Sequence, residues 1–237
     1  MLSHHPQVLA GNQILSALPR QQYKRLFSCL EPVHLARSKI LYHLADRITH
    51  AFFLTSGMVS LLATTEGGAV TEIGMVGNEG VVGVPVALGV EKAPYQIEVQ
   101  IPGRALQVKS EVLVEEFNRG GQLQDMVLRY IHFLVTQIAQ SAACNRFHTN
   151  EQRLCRWLLI ARDRVKSDTL HLTHEAVSHM LGATRANVTT AAINLKRAGL
   201  IDYHRGNIEI VDRQGLETAA CECYRHITEV IGSFRAA

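Results

Sequence analysis

Apolar positions along the chain follow two different periods, and the change from one to the other divides it. From Val33 to Val108, short runs alternate apolar and polar residues: His34 to Leu41, Ala51 to Leu54, Gly57 to Thr64, Ala69 to Val76, Tyr95 to Ile101 and Ala105 to Val108. Turn signals sit at Thr55-Ser56-Gly57, Glu66-Gly67-Gly68, Gly77-Asn78-Glu79-Gly80 and Pro102-Gly103. Many short strands at regular spacing predict a small antiparallel barrel or jelly roll. Two short helices around Pro19 precede it, carried by Ile14, Leu15, Leu18, Leu26, Phe27 and Leu30, and a helix capped by Ser110 follows it.

After Gly120-Gly121 the period becomes helical and stays so from Gln122 to about His148. One seam reads Leu123, Met126, Tyr130, Phe133, Gln137 and Gln140; a second reads Val127, Ile131, Leu134, Ile138 and Ala142. A helix apolar on two sides must bury both. One side can lie on the chain's own barrel, and Leu123, Met126, Tyr130, Phe133 and Gln137 are assigned to contact with the same helix of a second subunit. The alternative is a core helix buried within a single chain. Thr149-Asn150-Glu151 then caps a further helix through Leu154, Leu158, Leu159 and Ala161.

The most informative stretch is LTHEAVSHMLGATRANVTTAAINLKRAGLI, from Leu172 to Ile201. Thr173 is placed to cap a short helix whose apolar face is Ala176, Val177, Met180 and Leu181. Gly182 follows where a sharp turn needs positive φ. Thr184 caps a second helix with Val188, Ala191, Ala192 and Leu195 on its buried side. Two short helices joined by a tight glycine turn are the pattern of a helix-turn-helix, whose second helix lies in the DNA major groove. The outer side of that helix carries Thr184, Arg185, Asn187, Thr189, Thr190, Asn194, Lys196 and Arg197, with no acid among them. Donors and cations of this kind suit phosphates and base edges. Residues 202–211 read as two short strands around Arg205-Gly206-Asn207, a wing whose tip would bring Arg205 to a phosphate. Thr173, Thr184, Lys196 and Arg205 are assigned to phosphates and Arg185, Asn187 and Thr190 to the bases, while Thr189 is counted among the DNA-binding residues without a finer role. After the wing, Leu216, Ala220, Cys223, Ile227, Val230 and Phe234 predict one C-terminal amphipathic helix.

The predicted fold class is therefore α+β. An N-terminal antiparallel β-barrel or jelly roll spans 12–119, a long dimerisation helix 120–148, a C-terminal winged helix-turn-helix 149–213 and a helical extension 214–237. The chain's 237 residues suffice for two cored domains. With 47% hydrophobic and 19% charged residues and no apolar run long enough to span a bilayer, the composition is that of a globular protein without a membrane partner. The N-terminus lacks a basic start followed by an apolar block, so no signal peptide is predicted and a cytoplasmic location is expected. Residues 1–119 hold ten basic and ten acidic residues, whereas 151–213 hold ten basic and seven acidic. That excess is modest; the motif carries the inference of a double-stranded DNA partner.

Over residues 12–213 the sequence resembles the Crp/Fnr family of bacterial transcription regulators, most specifically in the helix-turn-helix stretch quoted above. The Gly-rich GNEGVVGVPVALG, from Gly77 to Gly89, is similar to that family's effector segment. The resemblance implies a cyclic-nucleotide-binding-like domain and a homodimer on a pseudo-palindromic operator, acting through RNA polymerase. It also implies that Arg185, in the Thr184-Arg185 pair, reads a guanine through O6 and N7. Where many members carry Glu and a second Arg, this chain has Ala186 and Thr190, so fewer direct base contacts are expected. The family's cyclic-nucleotide binders present Gly-Glu and Arg-Ser in the barrel; here stand Gly83-Val84 and Pro94-Tyr95-Gln96, with no carboxylate for a ribose and no cation for a phosphate. Helix positions facing the purine correspond to Ile138 and Ala139. Cyclic AMP is not the expected effector. Val82, Gly83, Val84, Tyr95 and Ile138 either line a pocket for an unidentified, uncharged or hydrophobic ligand or fill it.

The five cysteines form no paired framework and are expected to be reduced. Only Cys29 precedes residue 140, too few for an N-terminal iron–sulfur cluster, and no histidine spacing singles out a haem ligand. On a continuous helix Cys221 and Cys223 would point about 160° apart, a poor geometry for one ion with His226. The run His174 to His179 misses the zincin spacing by one residue. No metal, cofactor or catalytic constellation is predicted. The rival to a regulator is a small-molecule sensor with a degenerate helix-turn-helix that does not bind DNA.

Overall fold

A computed structural model describes residues 11–204 and 206–235. In chain order its elements are helices α1 (Gln13–Ser16) and α2 (Arg20–Phe27), then strands β1 (Glu31–Leu35), β2 (Ile40–Tyr42), β3 (His50–Thr64), β4 (Val70–Val76) and β5 (Val81–Val82). A 3₁₀ turn (Val84–Leu88), β6 (Gln96–Lys109), α3 (Ser110–Asn118), α4 (Gln122–Phe147) and α5 (Asn150–Val165) follow. The chain continues with β7 (Thr169–His171), α6 (His174–Leu181), α7 (Arg185–Arg197), β8 (Ile201–His204), β9 (Asn207–Ile210), α8 (Arg213–Ala219) and α9 (Cys223–Arg235). The architecture is α+β.

Two compact units emerge. The first runs to Leu61 and resumes from Met75 to Leu134; the second comprises Leu62–Gly74 and Val135–Ser233. Their limits differ from the four segments expected, because α4 contributes its first half to one unit and its second half to the other, and the tip of the β3–β4 hairpin belongs with the C-terminal helices.

In the first unit, the sheet runs β1-β6-β3-β4, with β2 also on β6 and β5 on β3. The path has two ends, so the jelly-roll-like sheet folds over its core without closing into a barrel. Phe53, Leu54, Met58, Ile97, Val99 and Val108 fill the inside. Asn12 ties α1 to it, its amide donating to the carbonyls of Leu54 (2.9 Å) and Gly80 (2.8 Å) while its oxygen caps the helix.

Two expected turns are absent. Thr55-Ser56-Gly57 lies inside β3 and Pro102-Gly103 inside β6, both continuous. The glycines serve a close crossing of backbones instead: Gly57 has φ +81°, and a methyl on Gly103 would come within 2.2 Å of the Ser56 carbonyl oxygen. Glycine inside a strand marks such an approach as readily as a turn. The Ser56 hydroxyl accepts from the Arg104 N–H (3.1 Å) at this point.

The interface assigned from the sequence of α4 is also corrected. Leu123, Met126, Tyr130, Phe133 and Gln137 are all buried by their own chain. With Val127 and Leu134, buried too, the two seams merge into one broad face. Tyr130 shows why this face is committed: Gly80 lies against its ring so closely that a methyl there would stand 2.3 Å from Cε2. Gly80→Val is expected to lower stability by about 1–3 kcal/mol, read by chemical denaturation, because the ring has no free space to move into. Besides Phe147 at its last position, the large apolar residues α4 leaves in the open are Leu128 and Val135, at 46% and 60% exposure. His132, Ala139, Ala142 and Arg146, also exposed, continue their row at alternating steps of four and three.

The predicted C-terminal helix is two helices. Asp212 caps α8 by accepting from Gly215 N–H, and Ala220 turns to extended backbone (φ −73°, ψ 156°) before α9 begins at Cys223. Neither glycine nor proline marks the break.

Candidate nucleic-acid interface

The second unit builds its exposed helix from the inside out. Val177, Met180 and Leu181 of α6 and Val188, Ala191, Ala192 and Leu195 of α7 are buried with Trp157, Leu158 and Leu159 of α5. Between α6 and α7, Gly182 takes φ +55° and stands so close to Thr71 Oγ1 (2.6 Å from a methyl placed there) that a side chain would not fit. The buried Arg153 guanidinium donates to the Leu181 carbonyl, satisfying an acceptor the end of α6 leaves open. Trp157 donates from its indole N–H to Glu72 (2.8 Å), and both side chains are buried. Both helices start on the threonines expected: Thr173 accepts from Ala176 N–H (3.1 Å) and Thr184 from Asn187 N–H (3.2 Å).

With its apolar side inward, α7 turns Arg185, Asn187, Thr190, Lys196 and Arg197 outward. Thr189 is half-buried, its hydroxyl donating back to the Arg185 carbonyl (2.9 Å). Among the described residues, the Arg185 and Arg197 side chains have no hydrogen bond or ion pair, so both guanidinium groups keep their full donor sets. Lys196 differs: its Nζ lies 2.5 Å from Asp202 Oδ1 on β8. That bond, together with the Tyr203 N–H, holds the Asp202 carboxyl below its ordinary range. Asn194, counted on the open face from sequence, is half-buried and donates to Glu151.

Strands β8 and β9 pair antiparallel, Ile201 with Ile210 and Tyr203 with Ile208, as a wing requires. A third strand that the sequence reading missed, β7, pairs with β9 on its other edge. It has only three residues, of which Leu170 alone is buried, too short a run to show a period. Arg205 lies outside the described residues.

Sequence reasoning also missed what borders α7. Thr149, Asn150 and Glu151, at the start of α5, share a depression with Asn187 and Thr190. The cap at Thr149 was legible in the sequence, but the capping box it forms with Gln152 and its place beside α7 were not. The neighbourhood of the exposed face therefore includes the Glu151 carboxylate as well as that of Asp202, although α7 itself has none.

The residues assigned to an effector pocket divide differently. Val82 and Val84 are core residues, and Gly83 sits between them at φ +93°, where a methyl would come within 2.9 Å of the His50 carbonyl oxygen. Tyr95 is half-exposed, and burial raises its phenol pKa. Ile138 is half-buried on the second half of α4. The cleft seen on the first unit, about 660 Å³, has other walls, among them Arg47, Ile48, His50, Lys109 and Glu111.

Comparison with known proteins agrees with this geometry. Residues 152–219 match the family model for a Crp-like helix-turn-helix domain, and residues 32–119 that for a cyclic nucleotide-binding domain. A global nitrogen regulator from Nostoc sp. (strain PCC 7120) is 23% identical over 184 residues, covering 73% of this chain and 82% of that protein. FixK2 from Bradyrhizobium japonicum has a similar fold, with a TM-score of 0.70 at 15% identity over 81% of this chain and 98% of that one. A CRP-family transcriptional regulator from Thermus thermophilus gives 0.67 at 16% identity, over 79% and 96%. With a jelly-roll sheet, a long connecting helix and an outward-facing α7 on the winged unit, each half matched by its own family model, the chain belongs to the Crp/Fnr family of transcriptional regulators.

Proposed function

We propose that this regulator binds a pseudo-palindromic operator as a homodimer and reads it through Arg185. The observation that carries the reading is the Arg185 guanidinium, without a partner among the described residues, at the open N-terminal end of α7, where a helix entering the major groove meets base edges. Asn187 and Thr190, both exposed and about one turn apart on α7, share the reading of bases, with Thr189 turned partly inward. Thr173, Thr184 and Lys196 serve phosphates, as does Arg205 from the wing; Lys196 has to exchange Asp202 for a phosphate, so its contribution is smaller than that of a free lysine. Selection of bound DNA from a random pool tests the reading: the expected product is a two-fold site with half-sites about one helical turn apart. Enrichment of no sequence, or affinity insensitive to salt, is the result that rejects it.

For the dimer, the exposed α4 row replaces the buried one. Leu128, Val135, Ala139 and Ala142 alternate at the spacing of a two-helix seam, and the small alanines allow close approach. The double variant Leu128→Asp, Val135→Asp is expected to sediment as a monomer and to lose cooperative binding to the two-fold site while keeping its fold by circular dichroism. A variant that stays dimeric places the interface elsewhere.

The reading includes contact with RNA polymerase and a place in the cytoplasm with the chromosome, and it involves no catalytic step. Control by cyclic AMP is not part of it. Val84 presents a buried isopropyl group where the resemblance places a carboxylate, and a filled interior around Val82 and Gly83 leaves the effector unassigned.

A further inference from the structure

We infer that Cys144, His148, Cys221 and Cys223 form a binding site for a single zinc ion within the second unit. Their four ligand atoms all lie within 4.8 Å of one another. The three cysteines are buried, and His148 is half-buried.

The chain brings them together by two local devices. Cys144 and His148 are one helical turn apart, on one face at the end of α4, and the helical bond continues past the last α4 residue, from His148 N–H to the Cys144 carbonyl (3.1 Å). Cys221 and Cys223 sit at the break between α8 and α9. Because Cys221 is in the link and only Cys223 is in the helix, the opposed directions expected from helical pitch do not apply. His226, the histidine considered with them from sequence, is exposed and outside the group.

The dimensions suit one tetrahedral ion. Zn–S bonds of about 2.3 Å and a Zn–N bond of about 2.0–2.1 Å imply ligand–ligand edges of about 3.8 Å between sulfurs and about 3.6 Å from sulfur to nitrogen. The Cys144 and Cys221 sulfurs are 3.5 Å apart, and Cys223 Sγ is 3.5 Å from His148 Nδ1. Atoms this close converge on a single ion; a polynuclear iron–sulfur cluster needs its ligands spread over several metal atoms. Three thiolates with one imidazole favour zinc over magnesium or calcium, which take oxygen ligands.

The surroundings are those of a metal site as well. The far nitrogen of His148, Nε2, lies 3.2 Å from the Glu222 carboxylate, which would fix the tautomer that leaves Nδ1 free to ligate. Gln140 donates an amide N–H to Cys223 Sγ (3.0 Å). Zinc with three thiolates carries a net charge of −1, and two buried guanidinium groups, Arg153 and Arg156, are within electrostatic reach of Cys144 to offset it. The bound ion would join the end of α4 to the α8–α9 junction, so that its binding free energy is also folding free energy.

The test uses the full chain purified under reducing conditions. After incubation with zinc and desalting, elemental analysis is expected to find about one zinc per chain, and none in Cys221→Ser, Cys223→Ser. Cys29→Ser, an exposed cysteine outside the group, should retain it. Because the double variant could fail to fold, two readouts need only the parent protein. Cobalt titration should produce the visible bands of tetrahedral thiolate coordination and saturate at one equivalent. Zinc should also shield three of the five thiols from a thiol reagent in the unfolding range of denaturant. Absence of stoichiometric metal and of cobalt bands overturns the site, as does metal retained without Cys221 and Cys223. A Cys144–Cys221 disulfide with no metal uptake in the reduced protein overturns it too.

Discussion

Arg185→Ala is expected to weaken binding to the selected operator by roughly 5- to 150-fold per half-site, about 1–3 kcal/mol, and to relax preference at one base pair in each half. The size follows from what the side chain has available. A bidentate guanidinium contact supplies two charge-assisted hydrogen bonds, and in the proposed reading Arg185 would enter the groove without breaking a bond to any of the described residues. Lys196 gives the contrast, since it is held by Asp202 at 2.5 Å before DNA arrives. Lys196→Ala should weaken every sequence nearly alike and by less. Anisotropy titrations of both variants against the selected site and its single-base changes, at two salt concentrations, separate the two roles. If Arg185→Ala ranks all the changed sites as the parent does, Arg185 does not read a base.

Trp157→Ala is expected to cost about 3–5 kcal/mol of stability, a large part of what a domain of this size has. Trp157 is the chain's single tryptophan, is fully buried, and its ring fills the centre of the second unit. Truncation leaves a cavity and also removes the indole donor from Glu72, whose side chain is 6% exposed. A buried carboxylate deprived of a partner loses more than the hydrogen bond itself. Trp157→Phe keeps most of the packing and isolates the polar part, expected at about 1–3 kcal/mol. Denaturant unfolding followed by circular dichroism measures both. Equal losses for the two variants would show that the hydrogen bond to Glu72, and not the volume of the ring, dominates.

Local chemistry made the winged unit legible. Thr173, Gly182 and Thr184 announce caps and a turn through interactions within a few residues, and α6 begins and ends, and α7 begins, where those residues place them. Strand alternation likewise announced the sheet. What escaped depends on residues distant in sequence. Gly57 and Gly103 carry the composition of turns, and only the approach of β3 to β6 explains them as crossings. On α4, periodicity identified apolar positions but not which of them the chain covers itself; Gly80, far back in the sequence, commits Tyr130 to the interior. The opposed directions of Cys221 and Cys223 hold only for a helix that the chain interrupts, and their two companions come from the end of α4 and the residue just past it, 77 and 75 residues away by the closest pairs.

The hairpin formed by β3 and β4 has a consequence for dissecting the protein. Its outer end, Leu62–Gly74, supplies Glu72 to Trp157 and Thr71 to the surface under Gly182. A DNA-binding fragment trimmed after α4 would keep every side chain proposed to face the groove yet lose both of these supports. It would be an incomplete object, soft where the parent is firm. An autonomous version would need the missing strand tip grafted back, or tryptophan and glycine replaced together by residues that can face water.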